Sequence, residues 1–277
     1  MANINKVNGI AIASISKISG FTLSDNSKIL GQTKAAAAGT ATTYLDEDFD
    51  SLSEGYGTAP TNWSNSTGMV VFGTTTATRS WDIEAGTTPS SATGPTADHD
   101  TSQGISGDGR EGSGKYAYTE ATSQFNKRFL FRTPGIDFSN SLANNTLKLY
   151  FWFHMYGSNM GKLGVAASVR PNSASDTYAP VSGMGFTDDD NGGLTLTFWD
   201  DASDDGSSTS SGVRIAGQQQ TAGHGSTATG AHWRLAVVDL NALAGNGSTI
   251  YFYFYGKTGS QFRSDMAIDD VLIVGEE

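Results

Sequence analysis

Apolar residues in this chain recur at every second position in short runs. The clearest run is Leu147 to Leu163, LKLYFWFHMYGSNMGKL. Leu147, Leu149, Phe151 and Phe153 alternate with Lys148, Tyr150, Trp152 and His154. A period of two predicts a strand with one face buried and the other at least partly covered by aromatic rings. Gly157, Ser158 and Asn159 end the run and Gly161 allows a tight return, so Gly164 to Val169 is expected to be the strand's partner. Further strands are predicted at Leu45 to Asp50, Met69 to Thr76, Lys115 to Glu120, Phe125 to Phe138 (with a break at Pro134-Gly135), Trp233 to Leu240, Ile250 to Tyr255 and Asp265 to Val274. Phe186 to Trp199 reads as a hairpin with Asp190-Asn191-Gly192-Gly193 at its bend. Trp63 and Trp81 are expected as core or rim anchors. About a dozen short strands, turn-rich joins and no crossover helix predict an all-β protein, an antiparallel β-sandwich of jelly-roll type.

The first 31 residues carry a different pattern. Lys6-Val7-Asn8-Gly9, Lys17-Ile18-Ser19-Gly20 and Lys28-Ile29-Leu30-Gly31 share the order Lys, apolar, any, Gly, and recur every 11 residues. Each unit predicts one short strand closed by a Gly turn. Three such units are too small to bury a core alone, so they need a partner surface or copies of themselves. Residues 1–31 therefore read as an anchor arm, with Lys6, Val7, Ile10, Ile12, Ile15, Lys17 and Ile18 as its partner-binding residues. A floppy tail has no need of regularly spaced isoleucines. Residues 32–43, QTKAAAAGTATT, have little to bury and read as a linker, which leaves 44–277 as the sandwich domain.

Charge sharpens this division. Residues 1–43 carry four lysines against Asp25, a sum of +3, which leaves −14 for the remainder of a chain whose net charge is −11. An acidic body is a poor nucleic-acid binder, because phosphate contacts need clustered Lys and Arg. No run of about 20 apolar residues exists to insert into a membrane, and the N-terminus makes a poor secretory signal. The absence of cysteine excludes disulfides and thiolate metal sites, and fits assembly in a reducing cytoplasm.

Few motifs point to chemistry. GREGSGK at 109–115 has P-loop spacing, but Tyr116 follows in place of Ser or Thr and a strand pattern replaces the required helix, so nucleotide binding is rejected. Glutamate is scarce, and no strand carries Glu and Asp at alternate positions around an aromatic, so a glycosidase is not expected. His99, His154, His224 and His232 have no metal-like spacing and read as structural. Residues 85–114 form a long Gly, Thr, Ser and Pro-rich loop, which predicts a functional or pinned segment. Asp48 and Asp50, Asp98 in that loop, and Asp265, Asp269 and Asp270 on the last strand could converge on Ca2+, because first and last strands are often neighbours in a sandwich. The alternative is that they cap turns and face water.

The ordered motifs DFD at 48–50, Trp81, GPTADHD at 94–100, GKYAYTEA at 114–121, FLFRTP at 129–134, FWFHMYGSNMGKL at 151–163, Trp233 before VVDL, and DMAIDDV at 265–271 resemble the MAM domain. That family is a concanavalin-like jelly-roll adhesion module of animal receptors and secreted proteases. The resemblance covers residues 44–275 and implies non-enzymatic adhesion, with a structural Ca2+ at Asp50, Asp98, Asp265 and Asp270. The family's paired cysteines are missing here. The opening MANINKVNGIAIASISKISG resembles the starts of tailed-phage structural proteins. Together the two imply a virion surface protein, of capsid decoration or head-fibre type. It would bind other virion proteins through residues 1–31, form a homo-oligomer and touch a host-surface protein or glycan. A tail-fibre or tail-tip receptor-binding protein, and a lectin or carbohydrate-active enzyme on the same fold, are the alternatives.

Overall fold

The computed structural model describes residues 41–71, 75–106, 109–141, 146–169, 212–222 and 233–276, with the short strands 6–7, 10–11, 17–18, 21–22, 28–29, 32–33, 185–187 and 197–198. The chain divides into two compact units, Met1–Ala41 with Glu276–Glu277, and Thr42–Gly275.

In the first unit each 11-residue repeat is a whole hairpin, not a single strand. Lys6–Val7 pairs with Ile10–Ala11, Lys17–Ile18 with Phe21–Thr22, and Lys28–Ile29 with Gln32–Thr33. The third hairpin runs two residues into the stretch read as linker. Lys6, Val7, Ile10, Lys17 and Ile18 lie in these strands, while Ile12 and Ile15 lie outside the described residues.

The second unit is an antiparallel β-sandwich. Its strands are β1 (Thr42–Glu47), β2 (Gly55–Tyr56), β3 (Asp82–Glu84), β4 (Tyr116–Thr119), β5 (Arg128–Arg132), β6 (Ile136–Asp137), β7 (Thr146–Met155), β8 (Lys162–Ser168), β9 (Gly185–Thr187), β10 (Thr197–Phe198), β11 (Gly212–Ala216), β12 (Arg234–Asp239), β13 (Thr249–Lys257) and β14 (Met266–Glu276). One eight-stranded sheet has the order β9-β12-β7-β14-β4-β3-β2, with β1 also on β14. The facing six-stranded sheet has the order β5-β13-β8-β11-β10, with β6 also on β13. Val70–Val71 and Thr75–Thr76 form a separate two-stranded ribbon.

Alternation dictates the core. Leu147, Leu149, Phe151 and Phe153 of β7 meet Phe129, Phe131, Leu163, Val165, Phe252 and Phe254 of the other sheet, and all are buried. Trp63 and Trp81 both belong to this core, with ring centroids 4.9 and 6.2 Å from Phe131. The opposite face of β7 is buried as well. Trp152 joins Tyr116, Tyr118, Trp233, Leu235, Val237 and Ala267 in a second cluster.

Two expected pairings are corrected. β8 does not pair with β7 but crosses to the other sheet, where it lies between β13 and β11. Both edges of β7 are already occupied by β12 and β14, so the returning chain has no free edge to join. The stretch read as a hairpin over Phe186 to Trp199 also splits: β9 joins β12 in one sheet and β10 joins β11 in the other. Its bend, Asp190 to Gly193, lies outside the described residues. The neighbourhood of first and last strands is observed, with Val271 opposite Glu47 and Ile273 opposite Leu45. No helix among the described residues is long and apolar enough to cross a membrane.

Phe131 sits at the centre of the aromatic core, with its ring centroid 5.8 Å from Phe49 and within 6.2 Å of the two tryptophans. Phe131→Ala is expected to cost about 3–5 kcal/mol in urea unfolding, through lost burial and an unfilled cavity. A loss below about 1 kcal/mol would place the ring outside the cooperative core.

Candidate functional site

The site forms where β14 changes partners. Ile268 faces Ala117 of β4, but Val271 faces Glu47 of β1. Asp269 and Asp270 fall in the gap between. Asp270 takes φ 45°, in the left-handed region that aspartate tolerates better than most residues. Loop 85–114 enters this gap. The buried Asp269 accepts the His99 backbone N–H at Oδ2, 2.9 Å away, and the Asp270 N–H at Oδ1. Asp270 Oδ2 meets His99 Nδ1 at 2.6 Å. The imidazole lies flat on Trp152, with centroids 4.0 Å apart. One histidine therefore clips the loop to β14 through both its backbone and its ring.

The loop is also braced internally. His99 bridges Glu111, Asp100 N–H donates to the Arg110 carbonyl, and Gly112 N–H donates to the Asp98 carbonyl. Thr96 N–H donates to Glu111 Oε1 at 2.8 Å. Trp233 holds the outside of the loop, donating its indole N–H to the Ala97 carbonyl at 3.1 Å and its backbone N–H to the Gly109 carbonyl at 2.7 Å.

Asp98 and Asp50 converge on the backbone at Gly114. Asp98 Oδ2 accepts the Gly114 N–H, and Asp50 Oδ1 accepts the Lys115 N–H, each at 2.7 Å. Lys115 Nζ returns to the Asp50 carbonyl. A Cβ on Gly114 would lie 1.7 Å from Asp50 Oδ1 and 2.6 Å from Asp98 Oδ2. The two acids meet across a residue that has room for no side chain. GREGSGK thus supplies carboxylate-binding N–H groups, and β4 follows it directly. Asp50 is presented by a turn in which buried Phe49 takes φ 57°. That backbone is costly for an aromatic residue and is held here by ring packing on Phe131.

Asp98 is 2% exposed, and its Oδ1 has no hydrogen-bond partner among the described residues. Burial, then the charges of Asp50 and Asp270, push its carboxyl up to about 6. Burial also holds Asp269 well above the usual carboxylate range, with the Asp270 charge adding to it. Asp46 is raised in the same sense, by burial first and then by Asp48 and Asp270.

Asp50, Asp98 and Asp270 are brought together; Asp265 is not. It sits five residues before Asp270 on an extended strand, about 16 Å away along the chain. There it accepts the Ala121 N–H at 2.9 Å and donates its own N–H to Thr93 Oγ1. Burial, then the Glu120 charge, push its carboxyl up to about 8. Among the described residues no three His, Asp or Glu side chains are placed as ligands of one ion. The donor set around Asp98 is all oxygen, as a hard cation requires, but it is a convergent pair with one unpartnered oxygen, not a closed shell. His99, expected as a structural histidine, and Asp269, expected among the converging acids, together lock the loop in place, a pairing that the sequence analysis did not foresee. His154 is a buried neighbour of Trp233 at 5.7 Å, and His224 and His232 lie outside the described residues.

No protein-family model matches the chain. Among solved structures, the K1 cleaved adhesin domain of Lys-gingipain from Porphyromonas gingivalis W83 is 18% identical, with 85% of this chain and 98% of that chain covered and a TM-score of 0.42. The K3 cleaved adhesin domain of the same protein is 16% identical, over 84% and 98%, at 0.40. A cyclase from Fischerella sp. TAU is 12% identical, over 86% and 98%, at 0.43. Similarity this distant transfers neither an adhesin nor a cyclase role.

Gly114→Ala is expected to cost about 1–3 kcal/mol or more, because the new methyl group strikes both carboxylates; thermal unfolding checks it. The raised carboxyls set a pH dependence. A carboxyl whose folded pKa exceeds the unfolded value stabilises below about pH 4 and loses that contribution as pH rises through the folded value. In EDTA, Tm is therefore expected to fall between about pH 4.5 and 8. Asp98→Asn should remove the part of that fall lying near pH 6.

Proposed function

We propose that this chain is a non-enzymatic display protein, attached to a particle by its first unit and presenting the sandwich as an adhesion module. The observation that carries this reading is the division of the chain into an array of three repeated hairpins and a large closed sandwich. Hairpins of two residues per strand are marginal alone. A regular repeat suits docking against sister copies or a repeating shell. The resemblance of the opening residues to tailed-phage structural proteins supports a virion as the particle, with a decoration or head-fibre position and other virion proteins as partners. The resemblance of the body to the MAM domain supports adhesion to a host-surface protein or glycan.

Within the sandwich, Asp50 and Asp98, with Asp270 beside them, would hold a Ca2+ ion, and Asp265 takes no part. The unpartnered Asp98 Oδ1 supports this reading. Bound there, the ion would neutralise buried carboxylates and fasten loop 85–114 to the first and last strands.

The full-length chain is expected to sediment as an oligomer, and residues 42–277 as a monomer of similar Tm. Equal sedimentation of the two would remove the anchor role from the first unit. Particles assembled with the shortened chain are expected to lack it, as read by mass spectrometry of purified particles. Ca2+ is expected to raise Tm at pH 7.5 relative to EDTA, by about 5 °C or more. Asp98→Asn should abolish the response; a wild-type Tm indifferent to Ca2+ would sink the ion site.

A further inference from the structure

On the side of the sandwich where β2 ends one sheet and β5 ends the other, an open cleft of about 190 Å³ lies between the sheet edges. Tyr56, Arg79, Asp82, Glu120, Gln124 and Phe129 line it, together with Thr122. None of these residues belongs to the Asp50–Asp98 site. The cleft is smaller than the roughly 300–1,000 Å³ of pockets that swallow a whole drug-sized ligand, and suits one ring of a larger molecule.

Four observations define what fits. First, the large hydrophobic side chains exposed among the described residues are Tyr56, at 56%, and Phe125, at 43%. Tyr56 lines the cleft, and Phe125 follows the lining residue Gln124 in the chain. Exposed aromatic surface marks interaction sites in otherwise polar proteins. Second, Tyr56 is held in place: its hydroxyl accepts the Ser80 N–H at 3.1 Å, so the ring is a fixed platform. Third, acceptors dominate the walls. Asp82 of β3 lies close to Glu120, just after β4: burial first, and then the Glu120 charge, push the Asp82 carboxyl up to about 6. Gln124 Oε1 is a buried acceptor with no partner among the described residues. Fourth, Arg79 lines the cleft beside the Tyr56 hydroxyl, so the cleft also offers a cationic donor.

A simple cation fits this set poorly, because Arg79 repels it and the aromatic surface would go unused. A phosphate or sulfate is repelled by two carboxylates. A pyranose ring suits it better. Its hydroxyls donate to Asp82 and Glu120, its ring oxygen or an exocyclic oxygen accepts from Arg79, and its C–H face packs on Tyr56. We propose that this cleft binds a neutral saccharide, the terminal pyranose of a surface glycan. The proposal rests on the adhesion reading above and names its ligand.

Saturation-transfer NMR on the full chain tests it, with the methyl glycosides of glucose, galactose, mannose and fucose as probes and cadaverine as the cationic control. At least one glycoside is expected to bind at millimolar concentration without competition from cadaverine. Tyr56→Ala and Asp82→Asn are each expected to weaken that glycoside by about tenfold or more, with Tm unchanged in both. Binding of cadaverine in place of the glycosides overturns the proposal in favour of an ammonium site. Glycoside binding that survives in both variants also overturns it, and leaves the adhesion reading standing with its sugar site elsewhere. Binding of no glycoside overturns it too; wild-type chain that still adheres to cells would then point to a protein partner, and failure to adhere would remove the adhesion reading itself.

Discussion

The structure depends on a strand that is apolar on both faces. Thr146–Met155 sends Leu147, Leu149, Phe151 and Phe153 into the space between the sheets and Trp152 out of it. A sandwich covers one face of each sheet without further help. The second face would lie open to water, and with Trp152, Trp233, Tyr116 and Tyr118 on it the exposed apolar area would be large. Something must cover it, and the long loop 85–114 does so. Its length, unusual for a compact β domain, follows from that task.

Covering an apolar face with a loop raises a second difficulty, because loops carry backbone N–H groups that strands do not satisfy. Aspartates meet part of this need. Asp98 takes the Gly114 N–H, Asp50 the Lys115 N–H, Asp269 the His99 N–H and Asp265 the Ala121 N–H. The consequence is a set of carboxylates held out of water, several with raised pKa values because burial disfavours their charge. The same arrangement that pins the loop therefore stores electrostatic cost near Asp98. A bound proton or a bound cation relieves that cost equally well in principle, and the two differ in their pH dependence.

The change of partner along the last strand concentrates these effects. Met266 to Ile268 lie on β4 and Val271 to Gly275 on β1, so the two residues between have no ladder partner on that side. The kink at Asp270 turns two carboxylates toward the incoming loop. At the far side of the same sheet, the edge strand β2 and the neighbouring β3 present Tyr56 and Asp82 to a cleft with different chemistry, rich in acceptors and aromatic surface. The sandwich thus separates a pinned, buried acidic seam from an open, partly exposed groove.

The alternation of apolar and polar residues by itself determined that the chain is all β, where most strands lie, and that the aromatic run at 147–155 is central. It also marked loop 85–114 as one that needs pinning, and the 11-residue period as a repeated turn unit. These features are local: a strand's period and a turn's glycine act over a few residues. Pairing is not local. Whether Lys162–Ser168 returns beside Thr146–Met155 or crosses to the other sheet depends on which edges are already filled, and nothing between Tyr156 and Gly161 records that. The same holds for the acids. Asp265 and Asp270 look equivalent in DMAIDDV, yet an extended strand keeps them apart and the partner change selects only the second. His99, Asp269 and the pair Asp82 and Glu120 acquire their roles from residues far away in the chain. Tertiary structure alone decides such juxtapositions, because the free energy that sets them comes from burial and sheet closure summed over the whole sandwich, not from any one segment.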